Sequence, residues 1–487
     1  MRQIASILIL IGQALLVGMV MVALRRGWLP RGVPGEWEWP RLPPNITATA
    51  LELGLASLGI LLYGGFVALG MKSLERRSGR SRAESLWLTG LCLAAIAVQL
   101  VAQAGAPYGY GLTKWAFALY QPGSSGYYTI AKQQIRDLSS FLAAYPDWIK
   151  TQDALHIGTH PPGLFVTSSL ALKAMEARPD LAKAIVSHVP ESVAAGFREL
   201  SRTDPVPVAD QASLALTGLA ILIFSALTVV PLYLLGRSAL TAPTAWAAAS
   251  LWPLIPSAIL FQPTADTAFP FLSTTAIALA SWSNRRLSTL MACLAGVMLG
   301  VGMFFTLAFL PVGLVVAIVL MGHPSWRGGL LKLIATGIGF MGFILALAMV
   351  LKFNPLAIWW TNQVNHARFY VEYPRHYLAW VITNPIETAI AIGLPTTIWG
   401  ILGTTLSLKS IPRSTWAVLV VLICLNFSGR NLSEVARLWI PLMPALLLAS
   451  GVGMTRVGGP WVLWATVTLL GFETLMLQTT VQVVYPF

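Results

Sequence analysis

The densest group of residues able to do chemistry is Asp153-Ala-Leu-His156-Ile-Gly-Thr-His160-Pro161-Pro162-Gly163, which runs into an apolar stretch. Proline suits the first turn of a helix and pushes the residue before it towards extended geometry. The string therefore predicts a helix opening at Pro161, with His160 at its mouth beside backbone N–H groups that lack an intrahelical partner. Such a place favours an anion, for example a phosphate. An interfacial turn whose histidine simply caps the helix fits the same residues. His156 and His160 are four apart, the spacing of zinc peptidases. Ile157 stands where the general base would be, and Pro161 breaks the helix that would align both rings. The pattern argues against a zinc protease.

Three further strings carry polar groups at the ends of apolar runs. Gln262-Pro263-Thr264-Ala265-Asp266-Thr267 holds an acid at a depth where one is costly unless it meets water or a cation. A helix N-cap is the minimal role for Asp266, with a binding role beside it. In Ser428-Gly-Arg430-Asn431-Leu-Ser-Glu434-Val-Ala-Arg437-Leu-Trp439, Glu434 and Arg437 are one helical turn apart. They either pair with each other or divide between a hydroxyl and a phosphate. The segment Trp359-Trp360-Thr-Asn-Gln363-Val-Asn365-His366-Ala-Arg368-Phe-Tyr370 reads as a loop in which aromatics, amides and a cation suit a sugar or lipid head group. Trp and Tyr at this depth also serve as plain belt residues.

The elements that must position these strings are apolar. The chain has 487 residues, 56% hydrophobic and only 10% charged, with a mean hydropathy of +0.70. A soluble domain is typically about 25% charged. Apolar runs recur at 4–24, 50–70, 85–103, 212–235, 244–260, 267–282, 287–304, 306–321, 330–351, 386–406, 415–426, 437–453 and 461–481. They predict an all-α, polytopic transmembrane bundle of eleven to thirteen spans, built as a single integral membrane domain over residues 1–487. Within it, 212–351 forms the central bundle and 386–487 the C-terminal helices. The first run ends in Arg25-Arg26 without a small-residue cleavage site, so it reads as an anchor helix. The cysteines, Cys92, Cys293 and Cys424, lie inside apolar runs and predict no disulfide framework. Gly296, Gly300, Gly302, Gly337, Gly339 and Gly342 read as close helix packing.

A net charge of +13 would suggest nucleic acid in a soluble protein. Here basic residues flank spans and meet anionic head groups, so the expected partner is membrane lipid and not nucleic acid. The link from Lys72 to Arg82 is the most basic short connection and is expected inside. Alternation then puts Arg237, Arg285, Arg286, Arg327, Lys332, Lys409, Arg413 and Arg456 inside as well. The loops 25–49, 104–211 and 352–385 fall outside with most of the acids and all the histidines but His323. The segment from Pro161 to Glu176 is too short to cross, and crossing would invert every later loop; it reads as a helix lying in or re-entering the external interface.

In this order of features the chain resembles the polytopic GT-C glycosyltransferases, especially relatives of the protein O-mannosyltransferases and of the lipid A aminoarabinose transferases. The likeness covers roughly residues 108–320. It rests on the long first external loop, His160-Pro161-Pro162-Gly163, Leu235-Gly236-Arg237, Trp252-Pro253 and Pro263-Thr-Ala-Asp266. The resemblance implies a GT-C-like fold with interfacial helices in that loop, in the inner membrane of a bacterium. It also implies transfer of a sugar from a polyprenyl-phosphate donor to a glycan, lipid or protein acceptor on the extracytoplasmic face. An inverting course, in which a carboxylate takes the acceptor proton, follows from the same likeness.

In that family an acid stands just after the span that opens the long loop, near a tyrosine. Here Gln121-Pro-Gly-Ser124-Ser125-Gly126-Tyr127-Tyr128 offers tyrosines and no carboxylate. Asp137 or Asp153 is expected to substitute from further along, together with His160; otherwise the base lies elsewhere or catalysis is lost. Substrate contacts are expected from His156, Tyr127, Tyr128, Asp266, His366, Arg368, Glu434 and Arg437. The pattern demands no cofactor, and a divalent metal ion is the one candidate. Two other classes fit a helical membrane body: a transporter or lipid flippase, and a degenerate relative that binds lipid-linked sugar without turnover. Sidedness is testable at once: single cysteines placed at Lys72 or Arg82 should react only with reagents that reach the inner face, and labelling from outside would overturn the topology.

Overall fold

A computed structural model describes residues 2–43, 45–76, 81–202, 205–481 and 483–484. Residues 77–80 of the basic link lie outside the described residues. Among the described residues, seven helices are long and apolar enough to cross a membrane: Gln3–Arg26, Ala50–Arg76, Arg82–Ala104, Val208–Arg237, Trp326–Leu351, Ile440–Val457 and Pro460–Gln478. Tyr377–Ile392 and Leu394–Leu406 would make an eighth as a broken span, bent by 104° at Gly393. Gly393 has φ +97°, a conformation that only glycine adopts freely, and Pro395 opens the second limb.

The count is lower than the eleven to thirteen expected, and the reason lies in specific breaks. Residues 244–260 divide into Ala242–Leu251 and Pro256–Leu260 around the tight turn Trp252–Leu254, where Pro253 and Pro256 interrupt the backbone ladder. The runs on either side of Thr306 form Thr289–Phe305 and Phe309–Met321, which like Arg413–Ser428 are apolar but short. The all-α reading is also slightly too simple. An antiparallel hairpin, Gly32–Val33 with Trp37–Glu38, closes the first loop.

Burial separates helices that face the surroundings from those that face the bundle. In Trp326–Leu351 only 17% of the apolar window is buried, and Ile338 and Met349 are 65% and 74% exposed. In water such a surface would be strongly unfavourable; against lipid tails it is not. At the centre, Ala242–Leu251 is buried on every side. The indole N–H of Trp246 donates to the Val67 carbonyl at 2.8 Å and that of Trp252 to the Ser225 carbonyl at 2.7 Å, so neither is stranded.

Between Ala104 and the central bundle, the described residues of the long connection fold into six short α-helices: Lys114–Tyr120, Tyr127–Gln134, Leu138–Trp148, Gly163–Glu176, Pro179–His188 and Glu191–Leu200. Gly163–Glu176 is too short to span and packs on Tyr127–Gln134 and Val208–Leu227. Lys114 is buried and donates to the Leu260 carbonyl at 3.0 Å; burial pulls its pKa down to about 7.

The glycines expected at close contacts divide into two groups. A Cβ on Gly296 would sit 1.9 Å from the Thr336 carbonyl oxygen, and one on Gly339 2.0 Å from that of Cys293. Those on Gly300 and Gly302 would strike Phe343 and Phe309. Gly337 and Gly342 meet nothing within 4 Å, so they are not contact glycines. Gly339→Ala should therefore lower the thermal midpoint in detergent by overpacking, at a cost of about 1–3 kcal/mol. Gly337→Ala should be neutral or gain up to about 1 kcal/mol of helix propensity. Equal losses at both positions would contradict this packing.

Candidate functional site

The segment that carries His156 and His160 is built from the backbone outward. Leu138–Trp148 starts at Asp137, whose carboxylate accepts the Ser140 N–H at 2.7 Å as an N-cap. After the turn Ile149–Thr151, Asp153 Oδ1 accepts the N–H groups of Leu155 at 2.8 Å and His156 at 2.9 Å. The Gly158 N–H closes the same turn on the Asp153 carbonyl at 3.0 Å. A side chain at Gly158 would sit 2.1 Å from that carbonyl oxygen, which only glycine avoids.

A second element clamps this turn. Residues 359–370, expected as a loop, lie within the helix Pro355–Glu372, which Asn354 caps through the Ala357 N–H at 3.1 Å. Proline at its first position and the asparagine cap outweigh the mixed polarity that made the segment look irregular. Along one face, Asn362 donates to the carbonyls of Gly158 at 3.0 Å and His160 at 3.1 Å. Asn365 donates to Ile149 and Gly158, both at 2.9 Å, and Arg368 to Gln152 at 2.5 Å. The Tyr145 hydroxyl adds a bond to the His160 carbonyl at 2.7 Å. Three residues spaced i, i+3, i+6 thus hold the whole turn.

This arrangement separates three of the expected site residues from the others. Asp137, Asp153 and Arg368 do not line the cavity described next; the two acids accept backbone N–H groups and Arg368 donates to the Gln152 carbonyl. The cavity has a volume of about 510 Å³ and is lined by the others: Tyr127, Tyr128, His156, His160, Asp266, His366, Glu434 and Arg437. Arg430, Gln363 and Tyr370 line it as well.

His160 is oriented for acceptance. Its Nδ1 lies 2.8 Å from the His156 carbonyl, so that nitrogen carries the proton and Nε2 keeps its lone pair. The ring packs edge-on against Tyr127 at 5.4 Å, and Tyr127 against Phe165 at 5.2 Å. Burial lowers the His160 pKa, with Asp266 opposing. Burial, then the charges of Arg437 and His160, pulls His156 down to about 3. His366 is lowered by burial and by Arg430. All three rings are therefore neutral near neutral pH. The Tyr128 hydroxyl faces inward instead, donating to Asp210, which also pairs with Lys132 at 2.6 Å.

Asp266 is not an N-cap. The cap of Phe269–Arg286 is Ala268, and Asp266 sits in the preceding turn Ala265–Thr267, just after the cis Gln262–Pro263 bond. Among the described residues its carboxylate has no hydrogen bond or ion pair. It lies within electrostatic reach of Tyr127, His160 and Arg437. Glu434 and Arg437 do pair, at 2.7 Å, across one turn. Ser433 and Glu434 both lie at positive φ, 90° and 54°, a strained state for residues with side chains. The buried Arg437 Nε has no partner. Neighbouring bonds hold the strained segment: Ala436 N–H to Glu387 at 3.0 Å, and Leu432 N–H to the Tyr370 hydroxyl at 3.0 Å.

The histidines and acids of the cavity do not converge on one point. Among the described residues no group of three or more His, Cys, Asp or Glu side chains could hold a metal ion. From this polar end the wall continues as Leu214, Thr217 and Ile221 on one side and Leu307, Leu310 and Pro311 on the other. Leu310 is 50% exposed, so the apolar wall reaches the outer surface of the bundle.

Sequence reasoning missed Asp210 and Glu387, and it gave Asn362 and Asn365 to a sugar or head group where they bind backbone carbonyls. The amide spacing of the last two would have signalled a clamp had the segment been read as a helix. The neutral histidines give an acid limb whose sign is fixed. A His156 held at about 3 when folded, against 6.5 when unfolded, contributes its full stability above about pH 6.5 and loses it as the pH falls towards 3. Denaturant titrations from about pH 7 to pH 4 should show that loss in the native chain and a shallower one in His156→Gln. An unchanged slope would place His156 in water. No known protein family and no curated protein matches this chain, so the functional reading rests on the chemistry of the cavity.

Proposed function

We propose that this chain is an integral-membrane glycosyltransferase of the GT-C type it resembles. It transfers a sugar from a polyprenyl-phosphate donor to a glycan, lipid or protein acceptor at the extracytoplasmic face of a bacterial inner membrane. The observation that carries the reading is the two-part cavity. Its polar end gathers Asp266, His160, Arg430 and Arg437, and its apolar wall runs out past the half-exposed Leu310. A ligand with an anionic head and a hydrocarbon tail matches both parts; a free sugar matches only one.

The roles follow from the free valences. Arg437, which Glu434 holds through one terminal nitrogen and which lines the cavity, takes the donor phosphate, joined by Arg430. Asp266, the unpartnered acid, takes the proton from the acceptor hydroxyl. The acceptor oxygen bonds to the anomeric carbon as the bond from that carbon to phosphate oxygen breaks. The electron pair leaves on polyprenyl phosphate, against the guanidinium groups, and the anomeric centre inverts. His160 Nε2 accepts a sugar hydroxyl. Asp266 replaces Asp137 and Asp153 as the proposed base, since it is the acid with both exposure to the cavity and a free carboxylate.

A transporter would need a polar path to the other end of the bundle. Midway along the helices framing the cavity lie Ala276, Ile277, Val418, Val421, Leu447 and Leu448, each no more than 1% exposed. That apolar plug favours chemistry at one face. With purified chain and synthetic polyprenyl-phosphate sugars, the expected product is free polyprenyl phosphate. Asp266→Asn should lower turnover by roughly 10²–10⁴-fold, and Asp153→Asn, whose amide oxygen still caps the turn, should change it little. Donor binding without turnover in the native chain would instead support the degenerate relative. Full turnover in Asp266→Asn would remove the proposed base.

A further inference from the structure

A second cavity, of about 970 Å³, lies at the other end of the same helices. Val208–Arg237, Phe269–Arg286, Arg413–Ser428 and Ile440–Val457 each have residues at one end lining the first cavity and at the other end, or just beyond it, lining the second. At 1.5 Å per residue, an 18-residue helix separates the two by about 27 Å. Among the described residues, four cations line the second cavity, Arg285, Lys409, Arg413 and Arg456, against one acid, Glu75.

Basic residues at this end of the spans are expected from topology alone, and that would scatter them over the surface. Their gathering around one cavity is a different matter, because like charges placed together repel unless something anionic joins them. Each guanidinium is held in place through one terminal nitrogen. Arg285 Nη1 donates to the Arg237 carbonyl at 2.7 Å, Arg413 Nη1 to the Gly322 carbonyl, and Arg456 Nη2 to the Ser410 hydroxyl at 3.2 Å. The other terminal nitrogen of each makes no hydrogen bond among the described residues, and nor does Lys409. Ser414 supplies an independent observation. It lines the cavity, it is 3% exposed, and its hydroxyl has no partner. It stands in the first turn of Arg413–Ser428, a helix whose N-cap, Pro412, offers no side-chain bond to the free N–H groups.

We infer that this cavity is a binding site for a phosphate group, with Arg413, Arg456, Lys409 and the Ser414 hydroxyl as its ligands. Oriented guanidinium donors and an unpaired hydroxyl at a helix N-terminus match phosphate oxygens. Two sources share that chemistry: the head group of an anionic phospholipid in the same leaflet, and a soluble phosphate. The inference does not depend on the proposed transferase activity.

The test uses the full chain in nanodiscs of phosphatidylcholine. Thermal midpoints are followed as phosphatidylglycerol replaces part of the lipid and, separately, as inorganic phosphate is added. The native chain should be stabilised in at least one arm, and the arm that responds identifies the source. In Arg413→Gln/Arg456→Gln the apparent affinity should weaken about tenfold or more. Lys409→Gln and Ser414→Ala, which remove no structural contact, should weaken it in the same direction if the double variant folds poorly. Arg327→Gln, at the same end of the bundle but outside the cavity, should leave it unchanged. No response in either arm, or an equal weakening in Arg327→Gln, overturns the site and returns these residues to general membrane electrostatics.

Discussion

Hydrocarbon offers no hydrogen-bond partner, and that constraint arranges nearly everything in this molecule. The large polar aromatics inside the bundle are tied to a neighbour: Trp246 to Val67, Trp252 to Ser225, Trp399 to Thr466 and Tyr63 to Ser250. Groups that need a ligand or water are driven to the ends of the spans. The two large cavities sit there, with apolar residues such as Ile277 and Leu448 between them. One end gathers acids, neutral histidines and two arginines, and the other gathers four cations against one acid.

Pushing chemistry to the membrane surface creates a second problem, since loops there must be made rigid. The helix Pro355–Glu372 does this for the residues around His160. Asn362, Asn365 and Arg368 bind the turn by its carbonyls, so the side chains of His156 and His160 remain available. Asp153 and Gly158 complete the turn from within. The residues that looked most reactive in the string therefore divide into two kinds. The acid builds the loop, and the histidines face the cavity.

The same division separates the acids across the molecule. Asp137 and Asp153 serve backbone N–H groups, Asp210 serves Tyr128 and Lys132, and Glu434 serves Arg437. Asp266 serves none of these among the described residues. That free carboxylate lies within electrostatic reach of the Arg437 guanidinium, and the proposed site rests on this pair. The strained backbone at Ser433 and Glu434 fits that view, because neighbouring bonds to Glu387 and Tyr370 hold it in place.

By itself the sequence determined the helical membrane body, because apolar runs of span length have few other stable forms. It also marked the residues of the cavity, since His156, His160, Asp266, His366, Glu434 and Arg437 stand out as polar groups at the ends of apolar runs. It did not determine how many of those runs are long helices; the turn at Trp252–Leu254 and the break at Thr306 are local, but their consequences depend on packing. Nor could it tell a lining acid from a capping one. Asp153 and Asp266 both precede helical segments, and each suits a cap equally well. Only the tertiary structure decided between them, because a cap is a local bond within a few residues, whereas a free carboxylate is defined by what distant segments fail to offer it. Glu434 and Arg437 come from the C-terminal third, His160 from the first long loop and Asp266 from the central bundle, and no spacing within the chain records that they meet.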